Sequence, residues 1–213
     1  MKKILILLVC LCFTSCFEIT ERIQHHSDQS GTYKLVVDFS QSWLRVKSAM
    51  FLEEINGEKI PNEQAIIKKL QDFKKAAAQI EGISGVETKT NFDDYIFVIQ
   101  LDYKNIAALN QAINCMDKQK TGIHFKTSSA TTFERIASYP IPDKVVNDPN
   151  KKEDLEKANM IAIYSFATPI EAVNNSRCKI SANKKTAFLK QSLYAVLKKS
   201  SLMNNTIKLT QQK

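Results

Sequence analysis

The sequence is short of glycine, histidine and tryptophan, and each shortage closes off a class of chemistry. Five glycines in 213 residues leave no phosphate-cradling loop, and neither a P-loop nor a nucleophile elbow occurs. The three histidines are His25, His26 and His124, and no two of them have the helical spacing of a zinc motif. His25-His26 falls in a turn, where both rings are expected to be solvated. Asp28-Gln29-Ser30-Gly31 lacks the acidic spacing of a calcium loop. No run of Lys and Arg exceeds three residues, so the basic surplus is expected to be a solvated surface and no nucleic-acid partner is assigned. Internal repeats and low-complexity segments are missing. No catalytic residue, metal or cofactor is assigned.

Two further features have an ordinary explanation. Asp93-Asp94 is a paired carboxylate, but it stands at an expected hairpin tip, where acidic residues form turns. The single tryptophan, Trp43, and nearby Phe51 would suit a lipid-binding groove between helix and sheet. Aromatic residues at helical spacing normally pack in the core, and that is the expectation here.

What the chain does have is a distinctive beginning. Lys2 and Lys3 form a positive start, Ile4 to Phe13 is an unbroken apolar run, and Thr14-Ser15-Cys16 closes it. This is the layout of a secretory signal. The run covers about half of the roughly 20 residues that a membrane-spanning helix needs. Phe13-Thr14-Ser15-Cys16 resembles the lipobox of bacterial lipoproteins, in which small residues precede a cysteine that receives diacylglycerol before the signal is removed. Phe13 replaces the usual aliphatic residue. Cys10 and Cys12 follow Val9 and Leu11, where a small residue is needed. The resemblance implies cleavage between Ser15 and Cys16 and lipid attachment, of the palmitate type, on Cys16. Sulfur suits that task as a strong nucleophile.

Residues 1–15 are thus expected to be a signal peptide and 16–213 one envelope domain. The 30 Lys and Arg against 22 Asp and Glu give +8; without Lys2 and Lys3 the count is 28 against 22, or +6. In an envelope, the partner expected for such a surface, where it has one, is anionic lipid head groups or polyanionic glycans rather than nucleic acid. Apart from Cys16, the mature chain keeps Cys115 and Cys178, which are expected to be separate buried thiols rather than a bridge. Asn174-Asn175-Ser176 and Asn204-Asn205-Thr206 match the glycosylation pattern, and in a bacterial envelope protein both are chance matches.

Periodicity outlines the fold. Ile19 and Ile23 fall at even spacing before the Ser/Asp/Gly cluster, and Thr32 to Phe39 is β-branched and aromatic, so a hairpin is expected immediately after Cys16. Trp43, Val46, Met50 and Phe51 predict a short helix, closed by a turn at Asn56-Gly57. Pro61 opens a long one, with Ile66, Ile67, Leu70, Phe73, Ala77 and Ile80 on one face. Strands over 86–90 and 95–103, a helix over 105–116 and a strand pair over 122–127 and 131–137 follow. Strand, helices, strand, strand, helix, strand is the order of a ferredoxin-like unit, expected over about 32–137, with helices on one face of an antiparallel sheet. Tyr139 to Lys152 reads as loop, Met160 to Ala167 as a buried strand, 178–181 as a strand and Phe188 to Leu197 as an amphipathic helix. Thr206 to Thr210 reads as an edge strand. These form a C-terminal extension over about 158–210. The fold class expected is therefore α+β.

This arrangement, with Tyr164-Ser165-Phe166 in a late strand and a polar Asn174-Asn175-Ser176 run, resembles uncharacterised envelope lipoproteins of the Bacteroidetes type. It is also similar to LppM-like domains of other bacterial lipoproteins. The resemblance spans about Glu18 to Ala167 and implies a non-enzymatic protein that contacts lipid, glycolipid or a protein partner. The competing expectation is an envelope hydrolase whose site is assembled from unremarkable residues. Phe17-Glu18-Ile19-Thr20 lacks an acidic cluster of the surface-export kind, so the anchor is expected in the outer membrane, facing the periplasm.

Overall fold

The computed structural model describes residues 17–52, 54–55, 58–117, 122–138 and 149–211. Residues 1–16, with the expected signal and its expected cleavage point at Ser15 and Cys16, lie outside these residues, as do Asn56-Gly57 and the stretch 139–148. Strand β1 (Glu18–His25) begins directly after Phe17 and forms the expected hairpin with β2 (Gly31–Asp38), Ile23 opposite Tyr33. A 3-10 turn at Ser40–Ser42 leads into helix α1 (Trp43–Phe51), and a small hairpin of β3 (Glu54–Ile55) and β4 (Glu58–Lys59) follows. Helix α2 (Glu63–Ala77) starts where Asn62 Oδ1 accepts the Ala65 amide at 2.9 Å, satisfying one of the orphan donors of the first turn. It buries Phe73 and Ala77.

Strands β5 (Ile83–Asn91) and β6 (Ile96–Tyr103) form the next hairpin, and α3 (Ile106–Asp117) buries Ile106, Leu109, Ala112 and Ile113. Then come β7 (Phe125–Ser129), β8 (Thr132–Arg135) and α4 (Pro149–Lys157). The end of the expected loop is thus helical, because proline at the first helical position lacks only an amide that would have no intrahelical partner. Strands β9 (Asn159–Phe166), β10 (Ile170–Val173), β11 (Lys179–Ile180) and β12 (Thr186–Ser192) precede helix α5 (Leu193–Lys198), a 3-10 turn at Ser200–Met203 and β13 (Asn205–Leu209).

The expected last helix is therefore shorter. Ala187, Leu189 and Gln191 alternate inward while Lys190 points out, which is a strand period, and β12 pairs with β9. The helix begins only where Ser192 caps it.

Seven strands form one sheet in the order β11-β12-β9-β1-β2-β6-β5, and four form a second in the order β10-β13-β8-β7. The class is α+β, but the ferredoxin-like unit is not completed. Strands β2, β6 and β5 take the neighbour order such a unit requires. The fourth strand, β7, would have to pair with the free side of β2, and β1 already occupies that side. It joins the second sheet instead, while β9 pairs parallel to β1 from the other side. Strand β13 lies between β10 and β8, so it is not an edge.

The inner face of the large sheet carries Ile23, Tyr33, Leu101 and Tyr164. Helices α2 and α3 share this face with the second sheet, which contributes Phe125, Phe133, Ile207 and Leu209 to the same core cluster. Full burial of each such side chain contributes about 1.5–3 kcal/mol. The opposite face shows exposed Arg22, Gln24, Asp102 and Lys190. No helix among the described residues is long and apolar enough to cross a membrane.

Candidate functional site

Between the two sheets lies a buried polar network. Strand alternation turns Glu21 inward from β1 and Arg135 inward from β8. Glu21 accepts from Arg135 Nε at 3.0 Å and from Nη2 at 2.9 Å, and it also accepts the Tyr164 hydroxyl at 2.5 Å. Arg135 Nη1 donates to the carbonyls of Ile136 and His124 at 2.7 and 3.2 Å, and its guanidinium stands 4.7 Å from the Phe125 ring centre. The carboxylate and the cation spend their hydrogen bonds on each other and on the fold. This network ties the sheets together.

The hairpin end of the large sheet holds two groups, His25 and Tyr103, whose acid–base behaviour is shifted by burial. His25 is 4% exposed, inward-facing at the end of β1, and packed beside Phe133 with rings 5.1 Å apart. The expectation of two solvated histidines therefore holds for His26 alone. The alternation that buries Ile23 continues through His25, and β1 runs one residue further than a turn starting at His25 implies. Its Nδ1 shares a 2.9 Å hydrogen bond with the Tyr103 hydroxyl. Burial lowers the His25 pKa to about 4, helped by His26 and opposed by Asp28. Burial likewise raises that of Tyr103, with Asp28 adding to the rise. Two open clefts flank the pair. One, of about 300 Å3, is bordered by His25, His26, Thr131, Thr168 and Thr210. The other, of about 420 Å3, is bordered by His26, Thr32, Ser84, Asp102 and Lys104. Ser and Thr hydroxyls, with His26, Asp102 and Lys104, supply hydrogen-bonding groups to walls that are otherwise mostly small or apolar.

The other end of the large sheet is where the chain enters. The Phe17 ring stacks on Phe39 with centres 4.8 Å apart, and the Phe17 carbonyl accepts the Asn159 amide at 3.0 Å. Glu18 accepts from Lys190 Nζ at 3.0 Å. The residue after Cys16 is thus fixed to the central strand rather than carried on a polar tether. Helix α1 lies at this end and buries none of its residues. Trp43 is 40% and Phe51 88% exposed, with Leu44 and Leu52 exposed beside them, so the core expectation for Trp43 and Phe51 is overturned. The helix turns its other side, with half-buried Val46, Ala49 and Met50, toward the body of the protein.

The remaining expected residues are dispersed. Asp93 and Asp94 sit exposed in the β5–β6 turn, their amides donating to Asn91 Oδ1 at 2.9 and 3.2 Å. His124 is buried, and its Nε2–H donates to Asn114 Oδ1 at 2.9 Å. Cys115 and Cys178 are unbridged, but only Cys178 is shielded, being half-buried, while Cys115 is exposed. Asn174 Oδ1 accepts the Thr206 amide and Asn204 Oδ1 the Ala137 amide, so both glycosylation-type asparagines are engaged with backbone. No group of three or more His, Cys, Asp or Glu able to hold a metal occurs among the described residues.

Glu21 and Arg135 escaped the sequence reading, although both carry a signal. Each stands at an apolar phase of its strand, in Ile19-x-Glu21-x-Ile23 and Phe133-x-Arg135-x-Ala137. Opposite charges on the inward phase of two strands mark a buried pair.

No protein-family model matches the chain. No curated protein matches it. Among solved structures, the NMR structure of the folded domain of LppM from Mycobacterium tuberculosis is similar at a TM-score of 0.45 and 10% identity, covering 92% of this chain and 91% of that one.

Proposed function

We propose that this chain is a bacterial envelope lipoprotein, cleaved between Ser15 and Cys16 and held to the membrane by lipid on Cys16. Its folded part is a non-catalytic binding or interaction module. The observation that carries the reading is the position of Phe17, stacked on Phe39 and bonded to β9 at the entry of the central strand. A lipidated residue 16 then sets the domain directly on the bilayer. Two or more acyl chains hold it there, since each buried methylene contributes about 0.8 kcal/mol. The anchor stands in the outer membrane and the domain faces the periplasm.

The clefts around His25 and His26 lie at the far end of β1, roughly 25 Å away at 3.3 Å per strand residue. They face the periplasm, where the partner is an anionic lipid, a glycan or glycolipid, or an envelope protein. The non-catalytic part of the reading is supported by where acid–base groups are spent. Glu21 is paired to Arg135, and His25 is bonded to Tyr103 and kept neutral by burial. A hydrolase needs such groups free and converging in a cleft.

The test is membrane fractionation of the expressed full chain with and without Cys16→Ala, followed by organic extraction of the purified wild type. Membrane association that depends on Cys16, with an envelope lipid or glycolipid recovered beyond the covalent acyl chains, is the expected result. Release of wild type into the soluble fraction overturns the anchor. Turnover of a chromogenic ester or glycoside that is lost in a His25→Gln variant overturns the non-catalytic assignment.

A further inference from the structure

We infer that helix α1 is a second membrane contact, lying in the head-group region of an anionic phospholipid bilayer beside the lipidated N-terminus. The inference rests on the proposal that Cys16 carries lipid. Its geometry begins with pairing: Ser192, Asn159, Glu18 and Asp38 stand in one row across the large sheet. Phe17, α1 and the N-terminus of α5 all adjoin that row. The ring stack puts Phe17, the residue after Cys16, against Phe39, which stands four positions before the first residue of α1. An acyl chain on residue 16 therefore holds this end of the protein, and no other, at the bilayer.

The outward side of α1 has the composition such a position requires. At about 100° per residue, Trp43, Lys47, Phe51 and Leu44 fall on one arc. Trp43, Phe51 and Leu44 are 40%, 88% and 61% exposed, and Leu52 follows at 65%. Large apolar side chains clustered this way on a helix with no buried residue are unusual for a surface bathed in water alone. A tryptophan, a phenylalanine and leucine around a lysine that can reach the phosphates is the pattern of an interfacial helix.

Charge agrees. Residues 43–52 and 193–199 hold Arg45, Lys47, Lys198 and Lys199 and no acidic residue; the acids at this end of the large sheet are Glu18, paired to Lys190, Asp38, and Asp93 and Asp94 in the β5–β6 turn. Three bases and three acids balance along α4 (Lys151, Lys152 and Lys157 against Glu153, Asp154 and Glu156), and Asp154 accepts Arg45 Nη1 at 2.6 Å and joins α4 to α1.

Trp43 is the single tryptophan of the chain, so its fluorescence reports on α1 alone. The full chain, purified in detergent, is reconstituted into vesicles of equal parts phosphatidylethanolamine and phosphatidylglycerol, with and without brominated acyl chains. Intact mass is read on the same sample. The expected result is acyl mass on Cys16, Trp43 emission shifted to the blue, and strong quenching by brominated lipid. A Leu44→Glu/Phe51→Glu variant, changed only at exposed positions, keeps the acyl mass and the far-ultraviolet spectrum but loses the shift and the quenching.

Acylated protein whose Trp43 emits as in water overturns the docking and leaves the anchor standing. Non-acylated protein whose Trp43 is still quenched overturns the anchor and leaves the docking standing. Non-acylated protein with a water-like Trp43 overturns both. Equal quenching in pure phosphatidylcholine vesicles overturns the preference for anionic lipid, whereas Lys47→Gln is expected to weaken contact with phosphatidylglycerol vesicles about fivefold.

Discussion

Glu21 and Arg135, 114 positions apart in the chain, meet between the two sheets as a two-pronged ion pair at 3.0 and 2.9 Å, with side chains 5% and 3% exposed. Removing one partner strands the other charge in the core. Arg135→Met is expected to destabilise the protein by about 3–5 kcal/mol, as for other broken buried pairs. Adding Glu21→Met is expected to restore part of the loss, because no buried charge is left. Urea midpoints of wild type, single and double variants check this. A double variant weaker than the single one by the full cost of a second core substitution contradicts it.

The His25 imidazole has its pKa lowered from 6.5 to about 4 in the folded protein, chiefly by burial. Below pH 6.5 the unfolded chain binds the proton that the folded one refuses, so this contribution is present above about 6.5 and is lost progressively as pH falls toward about 4. Its size is about 3 kcal/mol at 1.36 kcal/mol per unit. The stability of His25→Phe is expected to vary less than that of wild type between those two pH values. Parallel urea titrations across that range give the answer, and identical slopes contradict the assignment.

Gly31 stands where β1 and β2 leave the turn, and any Cβ there would overlap the Gln24 carbonyl oxygen and the Tyr103 hydroxyl. Gly31→Ala is expected to lower stability by about 1–3 kcal/mol, the usual range for overpacking. It should also push Tyr103 away from His25, which the His25 ring resonances in a proton–nitrogen NMR spectrum would report. An unchanged melting temperature and unchanged resonances contradict this.

Cys115 is exposed, whereas Cys178 is half-buried with its thiol pKa raised by burial. Since the thiolate is the reactive form, Cys115 is expected to take up iodoacetamide first and Cys178 much more slowly. Peptide mass mapping at a series of times resolves the order. Simultaneous labelling, or a Cys115–Cys178 bridge in the air-oxidised protein, contradicts it.

The local elements were legible in the sequence and the assembly of the sheets was not. The entry hairpin followed from Ile19, Ile23 and the Ser/Asp/Gly turn, and helix α2 from its apolar face and the Pro61 start, because these signals are contained within a few residues. Pairing across the chain carries no such local mark. Nothing near Glu18 states that β9 will lie parallel to β1, or that β13 will insert between β10 and β8. The missed partner of β2 followed from the same cause, since a hairpin and a ferredoxin-like unit compete for one strand edge. At the site level, Trp43 and Phe51 have core spacing but lie on an outward arc. His25 reads as turn but ends a buried strand, and Glu21 and Arg135 were visible only as charges in the wrong phase.

The attachment of lipid to Cys16 is tested most directly by the intact mass of the protein made in a lipoprotein-processing bacterium, compared with its Cys16→Ala variant. The predicted result is a wild-type chain that begins at Cys16 and carries acyl mass, and a variant with no acyl mass that keeps its signal. A wild-type chain with an unmodified Cys16, or one cleaved at a different residue, contradicts it.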